Sequence, residues 1–246
     1  MSTQAPQSRR RRQVLSRERI IEAAVGLLDT AGEEALTVRA LSERLSTGSG
    51  AIYHHVGTMG DLLQAATGSV VAAALPAFPA PQEPAAAPGA AGTGGAEIRA
   101  AALGLYDAVA DHPWLATQLA VQITRNPWGA VTPRVFESIG RHVRTLGIPR
   151  RTWFATTSTL VHYILGATSQ NAQPPGASRE GTAPQADAER AEFLDSASRA
   201  WQSLDPDDYP FLHDISDQMR RHDDREQFLT GIDLILAGIT ALSRPA

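Results

Sequence analysis

Cysteine is absent from the 246 residues, which removes disulfides, thiolate metal sites and cysteine nucleophiles and leaves packing alone to hold the fold. Lysine is absent too: all 22 basic residues are arginine. With the abundant alanine, that bias matches GC-rich coding better than it matches any chemistry. No stretch reaches the roughly 20 apolar residues of a membrane span, and the apolar run 231–242 is short and carries Asp233. Four successive arginines at 9–12, with no apolar segment after them, lack the core of a secretory signal. A soluble cytoplasmic protein is therefore expected. Neither an alternating strand pattern nor an internal repeat can be found.

What is present is enough to fold. At 43% hydrophobic residues the chain can build one large domain or two small ones. Its charge is unevenly spread. Residues 1–60 hold eight arginines against six acids, the remainder fourteen against twenty, and residues 9–19 alone hold six arginines against one acid. A basic density of that kind suits a polyanion such as the DNA backbone. Breakers mark the divisions: 17 of the 21 residues at 76–96 are proline, glycine or alanine, which reads as a linker, and the proline- and glycine-rich stretch 171–187 reads as a loop. Elsewhere apolar residues recur every three or four positions. That spacing predicts helices at 16–31, 37–45, 49–55, 59–74, 97–111, 114–124, 132–146, 151–170, 187–203 and 223–242, an all-α fold. The resulting division is a disordered basic arm at 1–15, a small helical domain at 16–75, the linker, and a larger helical domain at 97–246.

Residues 37–56 fit a helix-turn-helix, two short helices joined by a turn containing glycine, with the second helix presented to the DNA major groove. Leu41, Leu45, Ile52 and Val56 can lock the two helices together. Ser49, Gly50, Ala51, Tyr53, His54 and His55 leave small and polar groups to approach base edges. The run 36–45 (LTVRALSERL), then 51–56 (AIYHHV), then 61–63 (DLL), resembles the DNA-binding head of TetR-family transcriptional repressors. The C-terminal part, at 154–166 and 228–239, resembles the tetracycline-repressor branch. The resemblance implies a three-helix DNA-binding head with a larger ligand-binding and dimerisation domain, acting as a ligand-responsive repressor on a palindromic double-stranded operator. Position by position, it implies phosphate contacts from Thr37 and Tyr53, a guanine contact from Arg39, and base or phosphate contacts from Ser49, Ala51, His54 and His55. Met59 stands where many relatives carry a lysine, and the arm residues Arg10, Arg11 and Arg12 can supply replacement charge.

Helix-turn-helix regulators usually dimerise, reading half-sites about 34–36 Å apart. Phe228, Ile232, Ile235 and Ile239 form one apolar stripe and Leu160, Val161, Ile164 and Leu165 another, and two such helices from each subunit would make a four-helix bundle. Periodicity alone leaves open that both stripes belong to the monomer's own core. Tyr106, Trp114, Gln118, Gln122, Trp128, Trp153 and His162 are polar or aromatic residues among aliphatics, the composition of a small-molecule site, in the region where the family binds an effector. No enzyme activity, cofactor or metal is expected. Two alternatives stand beside the repressor: a regulator that needs its ligand to bind DNA, and a metal-dependent hydrolase built on His213, Asp214 and Asp217 with His222, Asp223 and Asp224.

Overall fold

The computed structural model describes residues 15–76, 93–172 and 183–242; arm residues Arg10, Arg11 and Arg12, and most of the two breaker-rich stretches, lie outside them. Every regular element among the described residues is helical, and the chain divides into two units, 1–66 and 67–246.

In the first unit, α1 (Arg17–Ala31) starts where the Ser16 hydroxyl accepts from Arg19 N at 3.3 Å and stops at Gly32, whose φ of 72° a side chain would resist. A 3-10 turn (Glu33–Ala35) leads to α2 (Val38–Leu45), capped by Thr37 Oγ1 accepting from Ala40 N at 3.2 Å. The helix ends at Ser46, the only non-glycine with positive φ (51°) among the described residues. A three-residue turn separates it from α3 (Ser49–Val56). The turn closes because Ile20, Leu28 and Ala24 of α1, Leu41 of α2 and Ile52 of α3 are sealed from solvent, each 0% exposed. That small core sets the angle between the short helices. Then α4 (Met59–Ala74) begins with a capping box: Asp61 N donates to Thr58 Oγ1 at 3.0 Å while Thr58 N donates to Asp61 Oδ2 at 2.9 Å. The unit boundary falls within α4.

The second unit contains the rest of α4 and α5 (Thr93–Asp111), α6 (Trp114–Arg125), α7 (Val131–Val143), α8 (Trp153–Asn171), α9 (Ala183–Gln202), α10 (Pro210–Arg220) and α11 (Asp224–Leu242). At its centre α5 packs against α6, α7, α8 and α11. The C-terminal end of α4 sits tightly on this body. A Cβ at Gly104 of α5 would lie 2.3 Å from the carbonyl oxygen of Ala74, and Arg134 of α7 donates to the carbonyl of Ala72 at 3.2 Å. Helices α9 and α10 pack on each other, joined by Ser198 Oγ donating to Ser216 O at 2.8 Å.

Three sequence expectations need correction. Helix α5 starts at Thr93, inside the expected linker, because Gly94 is there for contact: a Cβ at Gly94 would come 2.3 Å from Thr145 Oγ1 and 3.1 Å from His142 O, at the end of α7. Helix α9 starts at Ala183, inside the expected loop, and α10 was not among the expected helices. The apolar stripes assigned to a dimer interface lie mostly inside the protomer. Leu160, Val161, Ile164, Phe228 and Ile232 are at most 1% exposed, because α8 and α11 pack on each other and on α5; such side chains have no surface left for a partner. Leu165, Ile235 and Ile239 keep part of theirs.

Candidate nucleic-acid interface and effector side

Helix α3 turns Ile52 and Val56 inward and leaves the opposite face open. Ser49, Gly50, Ala51 and His54 are exposed, Tyr53 is 44% exposed and His55 half-buried. Gly48 is the N-cap, where its flexibility costs little, whereas Gly50 lies in the first turn with nothing within 4 Å of where a Cβ would stand. The exposed surface near the start of α3 is thus low enough for a base edge to come close. His54 and His55 occupy the last turn, edge to face with ring centres 5.7 Å apart. Thr37 and Arg39 lie together at the start of α2, both exposed. The Thr37 oxygen accepts the capping bond but its O–H remains able to donate to a phosphate. Arg39 Nε donates to Glu43 Oε1 at 2.9 Å. Met59 opens α4 half-buried, and Thr58 hydrogen bonds hold the Asp61 carboxyl below its ordinary range.

In the second unit the expected effector residues do not meet in one place. Trp114, Gln118 and Gln122 are buried in α6. Gln122 Oε1 accepts from Asn126 Nδ2 at 3.3 Å, and its backbone carbonyl accepts from Thr132 Oγ1 at 3.2 Å, which fastens the α6–α7 turn. Trp128, on that turn, is 83% exposed. Trp153 is held elsewhere, its indole N–H on Ile148 O at 3.2 Å and the Arg144 and Arg150 guanidiniums over its ring. His162 lines an open groove of about 250 Å³ between α8 and α11, with Tyr163, Gly166, Gln170, Asp224 and Phe228. Tyr106 and Tyr163 both stack on Phe228, with ring centres 4.7 and 5.8 Å from it. Burial raises both phenols above their ordinary value, helped at Tyr106 by the Asp224 and Asp223 carboxylates.

Sequence reasoning passed over Ser138 and Thr157. Ser138 is 4% exposed in the buried stripe of α7, and its hydroxyl has no hydrogen-bond partner among the described residues; Thr157 of α8 is 5% exposed and faces Gly140 of the same α7. The available signal was a serine set among Val131, Val135, Ile139 and Val143. The residues of the hydrolase alternative are engaged structurally: His213 Nε2 contacts Leu204 O at 2.7 Å, and His222 Nε2 contacts Asp224 Oδ1 at 2.8 Å. No group of three or more potential metal ligands converges among the described residues.

Two family descriptions match this architecture, the tetR family of bacterial regulatory proteins over residues 20–66 and the tetracyclin repressor-like C-terminal domain over residues 88–243. The chain belongs to the tetR family. Among solved tetR-family structures, the transcriptional regulator SCO7222 from Streptomyces coelicolor is 54% identical, with a TM-score of 0.78 over 94% of this chain and 100% of that one. ActR from Streptomyces coelicolor, in complex with actinorhodin, is 22% identical with a TM-score of 0.70, over 95% and 100%, and shares the fold. An HTH-type transcriptional regulator of Saccharopolyspora erythraea is 28% identical over 65% of this chain; the match spans 62% of that relative's length. This tetR-family chain is accordingly a helix-turn-helix regulator of transcription, and no helix among its described residues is long and apolar enough to cross a membrane.

Proposed function

We propose that the protein is a homodimeric repressor that holds a palindromic double-stranded operator and is released from it by a small-molecule effector, without catalysing a reaction. The observation that carries this reading is the open face of α3, small and polar over a sealed apolar base. Ser49, Ala51, His54 and His55 read base edges, Tyr53 and Thr37 hold phosphates, and Arg39 reads a guanine; Arg10, Arg11 and Arg12 add phosphate contacts.

Dimerisation uses the outer surfaces of α8 and α11 in place of their buried stripes. Phe154 is 75% and Leu234 69% exposed there, and Gly166 and Gly238 have nothing within 4 Å of a Cβ position. A glycine inside a helix costs about 1 kcal/mol relative to alanine, and neither is needed for packing within the chain; close approach of a second copy accounts for both. The effector belongs in the second unit, among Trp114, Gln118, Gln122 and Ser138. ActR, with the same fold, is solved in complex with actinorhodin, a precedent for a small-molecule ligand on this fold that leaves this effector's identity open. Effector binding that favours a different arrangement of α6 and α7 would act on α4 through Arg134 and Ala72. A differential of about 1.4 kcal/mol is enough for a tenfold loss of operator affinity.

The test is selection of bound duplexes from a random pool by the purified protein at physiological salt. A palindrome with half-sites one helical turn apart supports the reading; recovery of no preferred sequence overturns it. On the selected operator, deleting residues 9–12 should flatten the slope of log affinity against log salt by about 0.9 per lost phosphate contact.

A further inference from the structure

The pair formed by Arg39 and Glu43 is unusual for a surface offered to DNA. Both side chains are exposed, at 87% and 65%, one turn apart on α2. An exposed pair of this kind contributes little to stability, and a carboxylate on a face that meets a polyanion repels it. The geometry gives Glu43 another role. A guanidinium has two N–H edges, and Glu43 holds Arg39 by Nε at 2.9 Å. The terminal Nη1/Nη2 edge has no hydrogen-bond partner among the described residues. That edge carries two parallel donors, the arrangement that matches O6 and N7 of guanine.

We propose that Glu43 is a positioning and specificity-determining residue, holding the Arg39 guanidinium as a preformed fork for guanine while discouraging its use on phosphate. The proposal rests on the DNA-reading role given to Arg39 above. Ordering a free arginine costs rotamer entropy, and Glu43 meets part of that cost before DNA arrives. In a non-specific complex Arg39 would have to leave Glu43 to reach a phosphate, stranding a carboxylate beside the backbone. Glu43 therefore weakens non-specific binding more than specific binding, which is discrimination by a repulsive element.

The experiment uses the full-length protein and the operator it selects. Affinities are measured for the wild type, Arg39→Ala, Glu43→Ala, Glu43→Gln and the double alanine variant, on every single-base change of one half-site and on a scrambled duplex. Arg39→Ala should erase the preference for guanine at one position, roughly 5- to 150-fold for a bidentate pair. Glu43→Ala should reduce the preference at that same position by about three- to tenfold while binding the scrambled duplex more tightly, and Glu43→Gln, which still accepts from Nε, should recover part of the base preference. In the double variant Glu43→Ala should add nothing to the loss caused by Arg39→Ala at that position. A Glu43→Ala profile unchanged at the Arg39 position, or changed equally at all positions, overturns the proposal while leaving the regulator reading standing. A wild type that selects no site overturns both.

Discussion

The outer face of α3 and the inner faces of α6 and α7 both place polar groups where the flanking residues are apolar, but on opposite sides of the solvent boundary. On α3 the polar groups face water and cost nothing while they wait for DNA. On α6 and α7, Gln118, Gln122, Thr132 and Ser138 are at most 8% exposed, and a buried polar group has to be satisfied or costs free energy. The head can thus be read from side chains its fold does not use. The larger unit has to be read from the internal groups its fold leaves short, and among the described residues the Ser138 hydroxyl is such a group.

The largest loss should come from removing what holds the α3 face in place. Leu41 is 0% exposed, and Leu41→Ala should destabilise the protein by about 2–5 kcal/mol, measured by denaturant unfolding. Operator binding should fall with it although Leu41 touches no base. A variant that loses this stability yet keeps full operator affinity under folding conditions would show that the α3 face does not depend on the core beneath it.

Helices α1 to α4 were legible nearly to the residue because Ser16, Thr37 and Thr58 cap them and Gly32 and Gly57 end them, all local chemistry. Helix α10 was not among the expected helices although Pro210 sits at its first position, where proline is well tolerated. Gly94 reads as linker because the reason for its size, the end of α7, is distant in sequence. The stripes of α8 and α11 show the limit of periodicity. A 3.6-residue repeat tells which face of a helix is covered but not whether the cover is the same chain or a second copy; Leu160 and Phe228 proved to be covered by their own chain. For the same reason Trp128, Trp153 and His162 were grouped by composition and stand apart in space.

A smaller effect sharpens the contrast on the interior side. If the Ser138 hydroxyl waits for an effector, Ser138→Ala should leave stability unchanged or raise it by up to about 1 kcal/mol, since an unsatisfied buried hydroxyl is removed. Operator affinity should be unaltered, and the effector concentration that releases the operator should rise. Loss of stability on this substitution would mean that the hydroxyl is satisfied within the fold.

The smallest effect concerns the seam between the end of α7 and the start of α5. Burial lowers the His142 pKa from its ordinary 6.5, with Arg141 adding to the shift and Glu97 opposing it. The folded state therefore favours the neutral imidazole, and its contribution is fully present above about pH 6.5. It is lost as the pH falls through the unfolded pKa towards the depressed folded one, because the unfolded chain binds the proton more readily. Carboxylates elsewhere titrate in the same direction at lower pH, so the informative quantity is the difference between wild type and His142→Asn, followed by unfolding from pH 7.5 to 5. The wild type should lose stability more steeply than the variant below about pH 6.5. Parallel curves would mean that His142 protonates as easily in the folded chain as in the unfolded one, and that the contact made possible by Gly94 leaves the ring open to water.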